Sequence, residues 1–127
     1  AGVPAPGGIL PVTPYDREII GEWALQTRTG DAHEGTLKVD IKLAENMYQG
    51  ILHIISQGNG DFALQKATLI RTGDKVTISS TVINSSTNWT ADGFELEING
   101  EVMEGRMISL KSDHKVTLQK TQGSLDI

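Results

Sequence analysis

Downstream of residue 19, apolar and polar residues alternate with a period of two, the pattern of strands with one face on a core and one in water. The cleanest stretch is 36–43, where Leu37, Val39, Ile41 and Leu43 alternate with Lys38, Asp40 and Lys42. Residues 94–98 repeat it, with Phe94, Leu96 and Ile98 against Glu95 and Glu97. Eight such segments can be traced, at about 19–28, 36–43, 47–56, 62–71, 75–83, 94–98, 101–110 and 114–120. Clusters of Gly, Asn, Asp and Ser separate them, among them Thr29-Gly30-Asp31, Gly58-Asn59-Gly60-Asp61 and Thr72-Gly73-Asp74. Asn99-Gly100 is the strongest hairpin signal and predicts a type I′ turn, which needs positive φ at both central residues. Residues 84–93 form the longest interruption, polar except for Trp89. No stretch of a dozen residues carries a helical period.

Consecutive strands of similar length joined by short hairpins predict an all-β fold, an eight-stranded antiparallel up-and-down β-barrel. Closure removes the exposed edges, and eight strands enclose an interior that side chains can fill. A Greek-key sandwich needs longer crossovers, and only 84–93 could supply one. The pattern assigns Leu25, Leu37, Val39, Ile41, Leu52, Leu64, Ile78, Leu96 and Leu118 to the interior. These are bulky, which predicts a filled core. On the third segment Tyr48, Gly50, Leu52 and Ile54 share one face, while Ile51 and Ile55 occupy the other. Apolar residues on both faces predict that part of the outside is covered.

The segment before the barrel is different. All four prolines fall within residues 1–14, which carry no charge. Proline disfavours helix and central strand there and predicts an extended Pro/Gly-rich arm. The expected organisation is an arm at 1–18, a barrel at 19–120 and a polar tail at 121–127. Val3, Ile9, Leu10 and Val12 make the arm more apolar than a solvated linker. It is therefore expected to lie on its own barrel or on a partner, the covered surface including Ile51 and Ile55.

Composition narrows the function classes. At 127 residues the chain is one domain. A net charge of −5 with no basic cluster argues against nucleic acid. No apolar run reaches the roughly 20 residues of a transmembrane helix. Cysteine is absent, which removes thiolate metal sites, disulfides and thiol nucleophiles. His33, His53 and His114 are not at ligand spacing. Glu95 and Glu97 lie about 7 Å apart on one strand face, a carboxylate pairing found in glycosidases, but the alternation turns both to water. No nucleophile elbow, phosphate loop or dinucleotide fingerprint occurs, so neither a catalytic residue nor a cofactor is expected. Asn84-Ser85-Ser86 and Asn88-Trp89-Thr90 match the N-glycosylation sequon. Trp89, in a polar loop, is expected at the barrel mouth as a lid or an interface anchor.

Gly21-Glu22-Trp23 on the first strand, with Lys120 near the end of the last, resembles the calycin pattern of lipocalins and avidins. The chain also resembles small bacterial barrels that occur alone or appended to larger exported proteins. The shared elements are Gly21-Glu22-Trp23, Gln49-Gly50-Ile51-Leu52, Gly73-Asp74-Lys75-Val76-Thr77-Ile78 and Met103-Glu104-Gly105. The resemblance implies that Trp23 plugs one end of the barrel, with Gly21 beside it and Lys120 above. The ring of interior tryptophans found in avidins is missing, and so are the further loop motifs of lipocalins. From the apolar arm, the two-sided third segment and the lack of a reactive cluster, the expected function is a non-catalytic interaction module. It would be an accessory subunit docked on a larger, membrane-associated or soluble, protein assembly. The alternative is a lipocalin-like carrier of a small hydrophobic ligand. By the same analogy, and from an N-terminus that looks processed, a periplasmic or extracellular location is expected.

Overall fold

A computed structural model of the protein describes residues 12–27, 33–56, 60–89, 91–108 and 113–123. Eight strands run in chain order: β1 (Gly21–Thr27), β2 (His33–Ala44), β3 (Met47–Ser56), β4 (Phe62–Thr72), β5 (Lys75–Ser85), β6 (Gly93–Asn99), β7 (Val102–Ile108) and β8 (Asp113–Gly123). Every neighbouring pair is antiparallel, and β1 also pairs with β8, so the sheet closes on itself. The expected all-β up-and-down barrel is therefore the fold. One short helix, α1 (Pro14–Arg17), precedes β1.

The interior follows the predicted alternation, with Trp23, Leu25, Leu37, Val39, Tyr48, Leu52, Leu69, Phe94, Met103 and Leu118 all buried. Two of the expected interior residues are not there. The regular alternation of 36–43 breaks at Asp40, where Val39 pairs with Gly50 but Ile41 pairs with Gln49. This extra residue is a β-bulge, and it turns Ile41, Lys42 and Leu43 to the opposite face; a second register shift follows between Lys42 and Ala44. Ile41 and Leu43 consequently face outward, 44% and 43% exposed, while Lys42 turns toward the barrel end. Leu64 is also outward. The inner face of β4 is Ala63, Gln65, Ala67, Leu69 and Arg71, a set that alternates small, polar and apolar residues and leaves no clear hydrophobic signal.

The turns differ from expectation in one detail. Asn99 pairs with Val102, so the central residues of that hairpin are Gly100 and Glu101. Only Gly100 has positive φ, at 64°, which is the pattern of a II′ rather than a I′ turn. The proline-rich segment also holds a surprise, because α1 starts at Pro14. Proline is tolerated at the first helical position, where its missing N–H has no partner to lose. Thr13 caps the helix and Asp16 bonds back to the Thr13 backbone, a complete capping box. Residues 14–17 of the expected arm are thus helical, and the helix together with Ile19 and Ile20 closes one end of the barrel. At the other terminus β8 continues to Gly123, past the expected boundary at Lys120.

Candidate functional site

The closed end is built around a buried carboxylate. Asp16 Oδ1 accepts from the Tyr48 hydroxyl at 2.6 Å. Its Oδ2 accepts from Lys42 Nζ and the Thr13 backbone N–H, both at 2.8 Å, and from the Thr13 hydroxyl at 2.9 Å. Burial alone would push this carboxyl up, but Lys42, Thr13 and Tyr48 together outweigh it and bring it down to about 2. Burial, and then the bond to ionised Asp16, push the Tyr48 phenol upward. Arg71, also buried, closes the same end from β4. It donates to Glu18 Oε1 at 2.8 Å, to the Gly73 carbonyl at 2.9 Å and to the Tyr15 carbonyl at 3.2 Å, and its guanidinium lies 4.0 Å from the centre of the Tyr15 ring.

Gly21, Trp23 and Lys120 all fall at this end. Trp23 is fully buried and donates its indole N–H to the Ile19 carbonyl at 2.9 Å, tying the helix to the core. Lys120 Nζ sits 5.5 Å from the centre of the Trp23 ring and donates to the carbonyls of Arg17 and Glu18 at 2.7 and 3.1 Å. Those carbonyls lie at the end of α1, where a cation is favoured. Burial lowers the Lys120 ammonium pKa, with Glu101 and Glu18 acting in the opposite direction. Gly21 has φ of 149°, a region that only glycine enters readily. Reading the sequence missed Asp16, Lys42, Tyr48 and Arg71. One signal was available for Asp16, the Thr13-Pro14-Tyr15-Asp16 capping-box spacing.

The opposite end is polar. Gln65, wholly buried, donates to Asp92 Oδ2 at 2.9 Å and accepts from the Asp92 backbone N–H at 3.0 Å. Trp89 packs against the core there, gives its indole N–H to the same Asp92 oxygen at 3.0 Å, and meets the His33 ring edge-on at 5.9 Å. Ala63 and Ala67 are the small neighbours of Gln65 along β4, and the Ser80 hydroxyl on β5 is buried with no hydrogen-bond partner. Trp89 therefore lies at this end of the barrel, partly buried against the core. Gln65 and Asp92 gave no sequence signal, because a lone Gln or Asp near a turn is ordinary.

On the outside, Ile51 is 38% exposed and Ile55 is half-buried. Lys38 and Lys66 flank Ile51 across the strands, Ile41, Leu43 and Ile70 are exposed nearer the closed end, and Ile83 on β5 is 56% exposed. The outer face of β6 and β7 carries exposed Glu95, Glu97, Glu104 and Arg106. Of the four arm residues expected at an interface, Val12 is exposed; Val3, Ile9 and Leu10 lie outside the described residues. Glu95 pairs with Arg106 across the strands, on the wet face where the alternation placed it. His33 and His53 are on separate strands, and the His114 side chain lies outside the described residues. No cluster of three potential metal ligands occurs among the described residues, and no helix among them is long and apolar enough to cross a membrane. Comparison with family models, curated proteins and solved structures returns no match to this chain.

Proposed function

We propose that the chain is a non-catalytic interaction module of calycin-like type, an accessory subunit held to a larger protein assembly by its N-terminal arm and the outer face of β3. One observation carries this reading. The outer surface of β2, β3 and β4 presents Leu43, Ile41, Ile70 and Ile51, with Lys38 and Lys66 beside Ile51, whereas β6 and β7 present Glu95, Glu97, Glu104 and Arg106 with Ile108 as their one exposed large apolar residue among the described residues. Apolar surface gathered on one side is the mark of a contact face. The arm is joined to the barrel at the end where Ile41 and Leu43 lie, so both proposed elements can engage one partner. A periplasmic or extracellular setting accompanies this reading through its resemblance to exported barrels. The test is the native mass of the protein isolated from its source, before and after Ile51→Asp and Ile55→Asp. A stoichiometric assembly that releases a 13.7 kDa monomer on substitution supports the reading. A wild-type protein that is already monomeric, or an assembly indifferent to both changes, removes it.

The second reading is a lipocalin-like carrier of a small hydrophobic ligand. It is favoured by Trp89 lying over an end whose lining includes the small side chains of Ala63 and Ala67. Gln65 and Asp92 at the same level make the lining polar, which offers an apolar occupant less favourable contact, and an occupant that separated them would leave buried polar groups unpaired. Solvent extraction of the natively purified protein followed by mass spectrometry decides it. A stoichiometric lipid or pigment would put the carrier first.

A further inference from the structure

Across the outer face of β8, β1, β2 and β3 runs a groove of about 460 Å³, within the range of about 300–1,000 Å³ typical of small-molecule sites. Strand register lays its walls out in two rows. Thr117, Gln26, Glu34 and Ile55 are cross-strand neighbours in one. Gln119, Ala24, Thr36 and His53 are neighbours in the other. The depression exists because Ala24 is the shortest outward side chain in this grid. Gly35 adds to it by drawing β2 and β3 together: a Cβ at Gly35 would come within 2.0 Å of the His53 carbonyl oxygen. Phe62 packs against His53 at a ring separation of 6.0 Å, so His53 and Ile55 form an apolar wall on one side.

We propose that this groove binds a neutral oligosaccharide. The lining holds amides, hydroxyls, an imidazole and one carboxylate, and no lysine or arginine. Such a set repels phosphate and acidic sugars and offers groups that both donate and accept, as sugar hydroxyls do. Among the described residues, no hydrogen bond or ion pair within the protein engages the side chains of Gln26, Gln119, Thr36 or Glu34. These groups are therefore available to a ligand without breaking internal bonds. The Ile55 side chain and the His53 ring, which Phe62 supports from outside the groove, suit the C–H face of a sugar ring. An extended peptide fits less well. Peptides add to sheets through backbone edges, and β1 and β2 are paired on both sides, leaving recognition to side chains. The groove is distinct from the barrel interior; Ile55 borders both it and the proposed docking face, but Ile51 lies outside it, so Ile51→Asp tests docking alone and the failures of the two readings are told apart.

The experiment is a titration of ¹⁵N-labelled full-length protein with cello-, xylo-, malto- and chito-tetraose, followed by backbone amide shifts. One of the four is expected to move the amides of Gln26, Thr36, His53 and Gln119 saturably. Ala24→Trp places an indole on the floor of the groove, at an exposed strand position, and is expected to abolish those shifts. The double variant Gln26→Ala/Gln119→Ala is expected to weaken binding roughly tenfold or more through loss of two amide partners, with thermal stability unchanged. The proposal is overturned if no sugar gives saturable shifts, if the shifts persist in Ala24→Trp, or if a synthetic peptide of residues 1–11 moves these amides and the sugars do not.

Discussion

Asp16→Ala tests the closed end of the barrel most directly. The carboxylate is 2% exposed and satisfies Tyr48, Lys42 and both donors of Thr13. Hydrogen bonds to a buried charge contribute about 1.5–3 kcal/mol each, and removing one member of a buried ion pair costs about 3–5 kcal/mol. Lys42 offsets part of this, since its side chain is already 12% exposed and can turn to water. A loss of about 3 kcal/mol is expected, a large share of the roughly 5–15 kcal/mol that holds a domain folded. The pH dependence gives a sharper check. A carboxyl brought from its ordinary 3.8 to about 2 is worth about 2 kcal/mol of folded-state preference. Because the folded value is the lower one, the unfolded chain takes up the proton first as pH falls. The contribution is complete well above pH 3.8 and is lost as pH falls through about 2. Urea unfolding followed by circular dichroism should therefore show wild type and variant about 3 kcal/mol apart at pH 7 and only about 1 kcal/mol apart near pH 2. A difference below about 1 kcal/mol at pH 7, or one equally large at pH 2, would refute the reasoning.

The other predictions concern the remaining supports of the two ends. Gly21→Ala forces a side chain into backbone that glycine alone favours, and should cost about 1–3 kcal/mol in the same urea assay. Lys120→Met keeps the apolar stem but removes the ammonium from the Arg17 and Glu18 carbonyls and from the Trp23 ring, and should lower stability by about 1–2 kcal/mol. Trp89→Phe should leave a fluorescence signal from Trp23 alone, and acrylamide should barely quench it because Trp23 is fully buried. Gln65→Leu preserves volume but strips Asp92 of a donor, so a loss of about 1–3 kcal/mol is expected, measured by thermal unfolding.

How much of this could be read from the sequence follows from what each feature depends on. Strand number and the inner faces of β1, β3 and β6 were legible, because burial on one face writes a period of two into the chain. The bulge at Asp40 was not, because a one-residue register shift leaves the local alternation intact and is visible only against β3. Nor was Leu64 on the outside of β4, where Gln65 and Ala67 fill inner positions that look polar or neutral in isolation. Trp23 and Lys120 lie on the strands β1 and β8, whose alternation is legible in the sequence. Asp16 has a weaker local signal, because the Thr13–Asp16 capping-box spacing sits in a proline-rich segment whose composition favours extended backbone. Its partner Lys42 depends on the bulge, so this contact between positions 26 apart in sequence has no local signature.

The polar residues of this barrel divide into two kinds by what they do with their hydrogen bonds. Asp16, Arg71 and Lys120 direct theirs into the protein, to helix, turn and strand, and their removal is predicted to change stability. Gln26, Gln119 and Thr36 direct none inward among the described residues, yet register holds them on neighbouring strands around a shallow floor. Ordering such groups on adjacent strands adds little to folding, since water satisfies them equally well on an exposed face. Replacing Gln26 or Gln119 should consequently leave the unfolding midpoint in place while changing whatever the groove binds. The closed end should respond in the opposite sense: substitutions there shift the midpoint, and alter binding only as far as they unfold the barrel. Measuring both quantities on both sets of variants separates what holds this barrel together from what it presents to a ligand. A groove variant that lowers stability as much as Asp16→Ala would show that these side chains serve the fold, and would remove the reason for placing a binding site there.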